Sequence, residues 1–461
     1  MAYCKDCIEK DLKIAKLQET ITGLKAQLRY RERKDEEGPF GLSTPSSKIP
    51  FKENASEEKT NKKGGAIVGH TGHGRTSVTE ETADLVIERD PGDRCPDCGT
   101  ALVPFRKTER TVIDNAPREP KNILYRLHDK ECPKCKKKFT AKAPVLPRSL
   151  YGNNITAQVA VMHYFHGIPM GRICEMTGIN VGSLVDIFHR LGRYFLPAME
   201  TLKEFYRADP VKHADETGWR NDGQSGYAWL FCTAALSIFL FKNTRSASVP
   251  KGVFGEKNLP GVLVVDRYNA YNKLPVKIQY CYAHLLRDLE KLGKDFLDEE
   301  EVTAFTGILI PLLSQSMHLH SQDISDKEYY RKAEKLRKEI MKICRSPARH
   351  LGIRAFQDIF TTHEGRLFHW AEDRRVPAHN NRAERDLRPT VIARKVSFGS
   401  SSDAGAETRS ILMSVFHTLN KRRANQSLES VFKRILDRIA DDPAVDVASL
   451  IPPVQTGREE N

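Results

Sequence analysis

The sequence predicts a multidomain α/β protein, on three observations. Residues 208–284 group their apolar residues in strand-like runs: V-K-H-A-D-E-T-G-W-R, Y-A-W-L-F-C-T-A, S-I-F-L-F, V-L-V-V-D and I-Q-Y-C-Y-A-H-L. The segments on either side space their apolar residues at helical intervals. Three C-x₂-C pairs, Cys4/Cys7, Cys95/Cys98 and Cys132/Cys135, stand outside both blocks. A chain of 461 residues, 39% of them apolar, has room for roughly two to four domains and at least one large core.

Net charge narrows the partners. At +13 the chain favours a polyanion, although a ribosome-associated or membrane-surface protein has the same balance. No run comes near the roughly 18 apolar residues of a membrane span. The N-terminus M-A-Y-C-K-D-C-I-E-K lacks the apolar region of a secretory signal. No membrane partner and a cytoplasmic, reducing location are therefore expected, and the cysteine pairs read as metal knuckles before disulfides.

The elements follow in order. Residues 1–34 carry Ile14, Leu17, Ile21, Leu24 and Leu28 at alternating spacings of three and four, the seam of a short coiled coil, so self-association is expected. The other reading is a single amphipathic helix packed on its own protein. Residues 35–82 form a basic linker rich in Gly, Ser, Pro and Lys, in which His70, His73 and Arg75 of G-H-T-G-H-G-R are candidate DNA-groove contacts. Residues 83–148 hold C-P-D-C-G and C-P-K-C-K, and Cys95, Cys98, Cys132 and Cys135 are the donors expected of a closed structural Zn²⁺ site. From Cys95 to Arg148 there are thirteen Lys and Arg against six Asp and Glu, a surface suited to phosphates. In residues 149–207 a short helix, a turn with Gly178 and a second helix near Ser183 have helix-turn-helix punctuation. Residues 208–284 predict three antiparallel strands at close spacing, then two added in parallel through longer connections. Residues 285–376 are helical and charged, residues 377–440 helical again, and residues 441–461 a Pro-rich tail.

Three acids draw attention by their settings. Asp215 lies in H-A-D-E-T-G-W, Asp266 ends V-L-V-V-D, and Glu384 opens the helical stretch N-N-R-A-E-R-D-L-R-P. Asp is depleted in strands, so an Asp inside or ending one caps a turn or holds a cation. Glu384 follows two good helix-capping residues, Asn380 and Asn381, and Arg388 four residues on is its natural ion-pair partner. Brought together, the three carboxylates would repel one another unless cations intervened. Two Mg²⁺ or Mn²⁺ ions, which want oxygen ligands, would then serve phosphoryl transfer, with Arg385 or Arg388 gripping a phosphate. His213 reads as a structural histidine, and Cys281 and His284 as packing and hydrogen-bonding residues.

At these residues the chain resembles a bacterial DDE transposase, the large transposase of insertion-sequence family 66. The landmarks are H-A-D-E-T-G-W, V-V-D-R-Y-N-A-Y, C-Y-A-H-L-L-R-D-L, N-N-R-A-E-R-D-L-R-P and F-G-S-S-S-D-A-G-A-E-T-R-S-I-L, with the N-terminal helix, basic linker and cysteine pairs in matching order. The resemblance implies an RNase H-like catalytic core, interrupted by a helical insertion between Asp266 and Glu384. It places the catalytic triad on Asp215, Asp266 and Glu384. It also implies action on double-stranded DNA, both element ends and target, with companion proteins encoded by the same element. One departure is Arg267, where members of the family commonly have Gly. Two rival readings remain: a non-catalytic DNA-binding regulator, and a structure-specific nuclease without strand transfer.

Overall fold

The computed structural model describes residues 5–37 and 142–453, and between them residues 101, 120–127, 129–131, 133 and 138–140. His70, His73, Arg75, Cys95, Cys98, Cys132 and Cys135 lie outside the described residues. The chain divides into two compact units, residues 1–51 with 123–461, and residues 52–122. All the elements below belong to the first.

Helix α1 spans Lys5–Glu37, and a small hairpin pairs β1 (Asp129–Glu131) with β2 (Lys138–Thr140). Four helices follow: α2 (Asn153–Tyr164), α3 (Met170–Thr177), α4 (Val181–Phe195) and α5 (Ala198–Ala208). The second helix of the α3–α4 pair begins at Val181, slightly before the expected Ser183, because Asn180 caps it by accepting from Ser183 N at 2.8 Å.

The sheet then forms from β3 (Val211–Asn221), β4 (Gln224–Cys232), β5 (Ser237–Lys242), β6 (Val262–Val265) and β7 (Lys277–Tyr280), with α6 (Ser248–Phe254) between β5 and β6. Its order is β5-β4-β3-β6-β7, with the first three strands antiparallel and β6 and β7 parallel to β3, as the sequence spacing predicts. Asp222 and Gly223 both take positive φ in the two-residue turn between β3 and β4, which the sequence Asp-Gly favours. Gly261 lets β6 enter beside Pro210, whose carbonyl oxygen would lie 2.1 Å from an added Cβ.

The helical insertion contains α7 (Tyr282–Asp295), α8 (Glu300–Leu319), α9 (Asp326–Cys344), α10 (Leu351–Thr362) and the single-turn α11 (His369–Glu372). The chain returns with α12 (Asn381–Ser397), the two-residue β8 (Gly399–Ser400) pairing with β3, α13 (Asp403–Arg422) and α14 (Leu428–Asp441). Against the expectation of no such stretch, α8 is long and apolar enough by length and composition to cross a membrane. Its Val302, Phe305, Leu309 and Leu313 are buried in the core of this fold.

The apolar seam of α1 is not what docks that helix on its own chain. Gln27 and Tyr30 are buried, with Gln27 hydrogen-bonded to Glu299 and Leu351 N and the Tyr30 ring edge-on to Phe296. Ile14, Leu17, Ile21, Leu24 and Leu28 remain about half exposed.

The sheet's outer edge at β5 is covered by α13. Ser410, Ser414 and Thr418 accept from the backbone N–H groups of Phe241, Phe239 and Ser237 at 3.1, 2.8 and 3.1 Å. Four helical residues rise ~6 Å and two strand residues ~6.7 Å, so the hydroxyls keep step with alternate strand amides. An edge that could template aggregation is thereby closed. Ser414→Ala leaves the buried Phe239 N–H without its acceptor and should cost about 1–3 kcal/mol of stability, measured by urea denaturation.

Candidate active site

β3 is longer than its parallel neighbour. Its register with β6 runs Val211↔Val262, Lys212↔Leu263, His213↔Val264, where the pairing of the two strands stops; β6 ends one residue later at Val265. Asp215 and Asp266 each stand two residues past the last of these pairs, so that continuing the register would set them opposite one another. Both are buried, at 2% and 8% exposure. Asp215 accepts from Glu216 N, and Asp266 accepts from Tyr268 N in the turn that follows its strand.

β3 also carries the start and the end of α12. His213 Nδ1 lies 2.9 Å from Asn380 Oδ1, and Asn380 Nδ2 donates to Ala214 O at 2.8 Å. Farther along, Arg394 donates to Thr217 Oγ1 and Gly218 O. Helix and strand therefore run side by side, with Asp215 between the two anchor points. Glu384 is one turn in from Asn380 and about a third exposed. Its partner is Arg287 of α7, at 3.3 Å, where the sequence offered Arg388. The correction follows from the fold: Arg388 and Arg385 point outward on α12, and Arg385 approaches Asp386 at 4.0 Å. His213 is held neutral by burial, its pKa lowered to about 3, and serves as a structural anchor as expected.

Glu216 is an acid the sequence reading passed over. Strand alternation turns it to the opposite face from Asp215. It is fully buried and receives Arg245 Nη2 at 2.6 Å, Arg245 Nε at 3.0 Å and Tyr271 OH at 2.5 Å. The Arg245 guanidinium lies 3.8 Å from the ring centre of Tyr268, in the turn after Asp266. The signal was present in the sequence as a second acid beside Asp215. Burial, then the negative charge of Glu216, pushes the Asp266 carboxyl up to about 7, against the hydrogen bond from Tyr268 N and the cations Arg245 and Arg267.

Arg267 is buried and ion-paired with Asp288 of α7. Cys281 closes the other side: its N–H donates to Val265 O at 2.8 Å, and its Sγ accepts from Asn380 N at 3.2 Å. The expectation of packing and hydrogen bonding holds for Cys281. His284 differs: both ring nitrogens are buried, and neither finds a hydrogen-bond partner among the described residues.

Asp215 and Asp266 thus stand equally far beyond the last β3–β6 pair, and Glu384 is on the helix anchored along the His213 and Thr217 side of β3. Among the described residues, no three His, Cys, Asp or Glu side chains are gathered as a ready shell for a metal ion. Comparison with known proteins gives two matches. Residues 148–408 match the family described as Transposase IS66 family. An uncharacterized protein, y4hP, of Sinorhizobium fredii is 23% identical over 424 residues, which cover 81% of this chain and 75% of that protein.

Because Asp266 binds its proton more tightly when folded, its contribution to stability is full below the ordinary carboxylate pKa and is lost as pH rises through about 7. In EDTA, urea midpoints measured from pH 4 to pH 8 should fall more steeply for the wild type than for Asp266→Asn.

Proposed function

The chain belongs to the IS66 transposase family, and we propose that it binds the terminal inverted repeats of a mobile element, cleaves there, and joins the 3′-ends to target DNA. Asp215, Asp266 and Glu384 are the catalytic carboxylates of this reading. One observation carries it: two buried aspartates each follow the last paired positions of β3 and β6 by two residues, and the helix that bears the third acid is anchored along β3. The mixed sheet crossed by α12 serves as the RNase H-like core, and α7–α11 as the insertion that separates Glu384 from Asp266 in sequence.

The donor set fits hard divalent cations. Asp215 and Asp266 offer only oxygen, and Asp266 is crowded by a neighbouring acid in a way that a cation relieves. Bound there, two Mg²⁺ or Mn²⁺ ions would supply an activated hydroxyl and charge to stabilise the leaving 3′-oxygen. Glu384 completes the set by turning its carboxylate from Arg287. The Glu216–Arg245–Tyr271 cluster holds β3 and the turn after Asp266 in fixed relation, so that the two aspartates need not reorganise.

The rest of the chain reads as DNA-handling surface. Arg385 and Arg388 face outward beside the site and grip backbone phosphate. His70, His73 and Arg75 follow a groove, the α3–α4 pair acts as a helix-turn-helix, and Cys95, Cys98, Cys132 and Cys135 hold a structural Zn²⁺. The exposed seam of α1 is the surface for self-association.

A duplex carrying the inverted repeat that brackets the gene tests the reading. Asp215→Ala should abolish Mg²⁺-dependent cutting while leaving affinity for the duplex within about twofold. Unchanged cutting would eliminate the assigned site. Wild-type products that contain cut ends and no joints to target DNA would favour the nuclease reading.

A further inference from the structure

Helix α7 begins where the site ends. The bond from Cys281 N to Val265 O fixes the residue that precedes the helix beside the end of β6, next to Asp266. Two further bonds, Tyr282 N to Ala378 O and Asn380 N to Cys281 Sγ, tie the same turn to the start of α12. His284, Arg287 and Asp288 follow at spacings of three and four and so share one face of α7. On that face Asp288 is taken by Arg267, and Arg287 reaches Glu384 at 3.3 Å with about a third of its side chain exposed.

His284, one turn before them, has both ring nitrogens buried and unpartnered among the described residues. Leaving such groups unsatisfied is costly, and in folded proteins they nearly always meet a partner. Burial, with Arg287 and Arg267 nearby, holds the imidazole neutral. A neutral imidazole has one N–H to donate, and a guanidinium adds charge and further donors. No metal shell is available there, since no group of three ligating side chains is assembled among the described residues. Donors and a cation at the first turns of a helix suit an anion.

We propose that His284 and Arg287 form a phosphate subsite on α7 that holds one backbone phosphate of the DNA strand beside the carboxylates. The inference rests on the reading of the chain as a DNA-cutting enzyme. Arg287 is stored on Glu384 and turns to the strand when that carboxylate takes up a cation. His284 then donates its N–H to a phosphate oxygen.

The test measures binding of the full-length chain to the inverted-repeat duplex across a salt series, with Ca²⁺ in place of Mg²⁺. Arg287→Gln should weaken binding about tenfold and reduce the slope of log K against log salt by about one, the signature of one lost phosphate contact. His284→Gln should weaken binding roughly fivefold with the slope unchanged. A methylphosphonate at the contacted phosphate should weaken the wild type and have a smaller effect on Arg287→Gln, which keeps only the His284 contact. The partly exposed Arg287 keeps the test open if His284→Gln fails to fold. Wild-type affinity and slope in Arg287→Gln would overturn the subsite. So would a melting temperature raised by inorganic phosphate in the wild type alone, with duplex affinity unchanged in the variant, because the site would then take a free anion. If Asp215→Ala still loses cutting, either result removes only this inference; a chain that binds no inverted repeat removes both.

Discussion

Asn380 is the residue on which the geometry of the site depends. Its side chain bonds His213 and Ala214 O of the central strand, and its N–H bonds Cys281 Sγ at the start of α7. One buried residue thus joins three segments that are far apart in sequence. All its partners are buried, so each bond is made away from water and each lost bond would leave an orphaned polar group. The insertion of α7–α11 can be long because its two ends are fastened here, at Cys281 and at Asn380. Neither α12 nor α7 needs the other's sequence nearby to find its place.

Acids are then sorted by how they are neutralised. Glu216 is fully buried, but two N–H groups of Arg245 satisfy its Oε1 and the Tyr271 hydroxyl its Oε2. Arg267, at the position that departs from the family pattern, is buried too, and its charge is returned to Asp288. Among the described residues Asp266 has a backbone N–H and more distant cations as partners, and its carboxyl rises toward neutrality. A buried charge without a close partner is the expensive kind. The cluster thus leaves its largest electrostatic debt at the end of β6, beside Asp215.

Much of this was legible in the sequence, and the rest was hidden for identifiable reasons. Strand spacing and the Asp-Gly turn gave the meander, and the longer connections gave the parallel additions. The parallel register of β3 and β6 brings the segments that carry Asp215 and Asp266 side by side, each acid two residues beyond the last pair. The partner of Glu384 could not be found locally, because Arg287 sits across the insertion, whereas Arg388 was available one turn away. Glu216 could have been separated from Asp215 by strand alternation alone. Ser410, Ser414 and Thr418 also left a trace, hydroxyls every four residues along an otherwise apolar face, but only the edge strand opposite gives that spacing meaning. In α1 the apolar seam stays about half exposed, while the docking contact comes from Gln27 and Tyr30, which periodicity does not mark.

The three proposed catalytic acids are not held with equal rigidity, and the difference follows from their elements. Asp215 is fixed by a strand paired on both sides, and Asp266 by the strand end and the turn bond to Tyr268 N. Moving either would break ladder hydrogen bonds. Glu384 extends from a helix into partly open space, and among the described residues it is held by a 3.3 Å contact to Arg287. Changing its rotamer breaks no backbone bond, and an exposed ion pair of this kind stabilises by no more than about 1 kcal/mol. Two acids are therefore positioned when the chain folds, and the third is left adjustable. A site of this construction can hold its buried pair ready and still admit a bulky, charged strand before the last carboxylate takes its place.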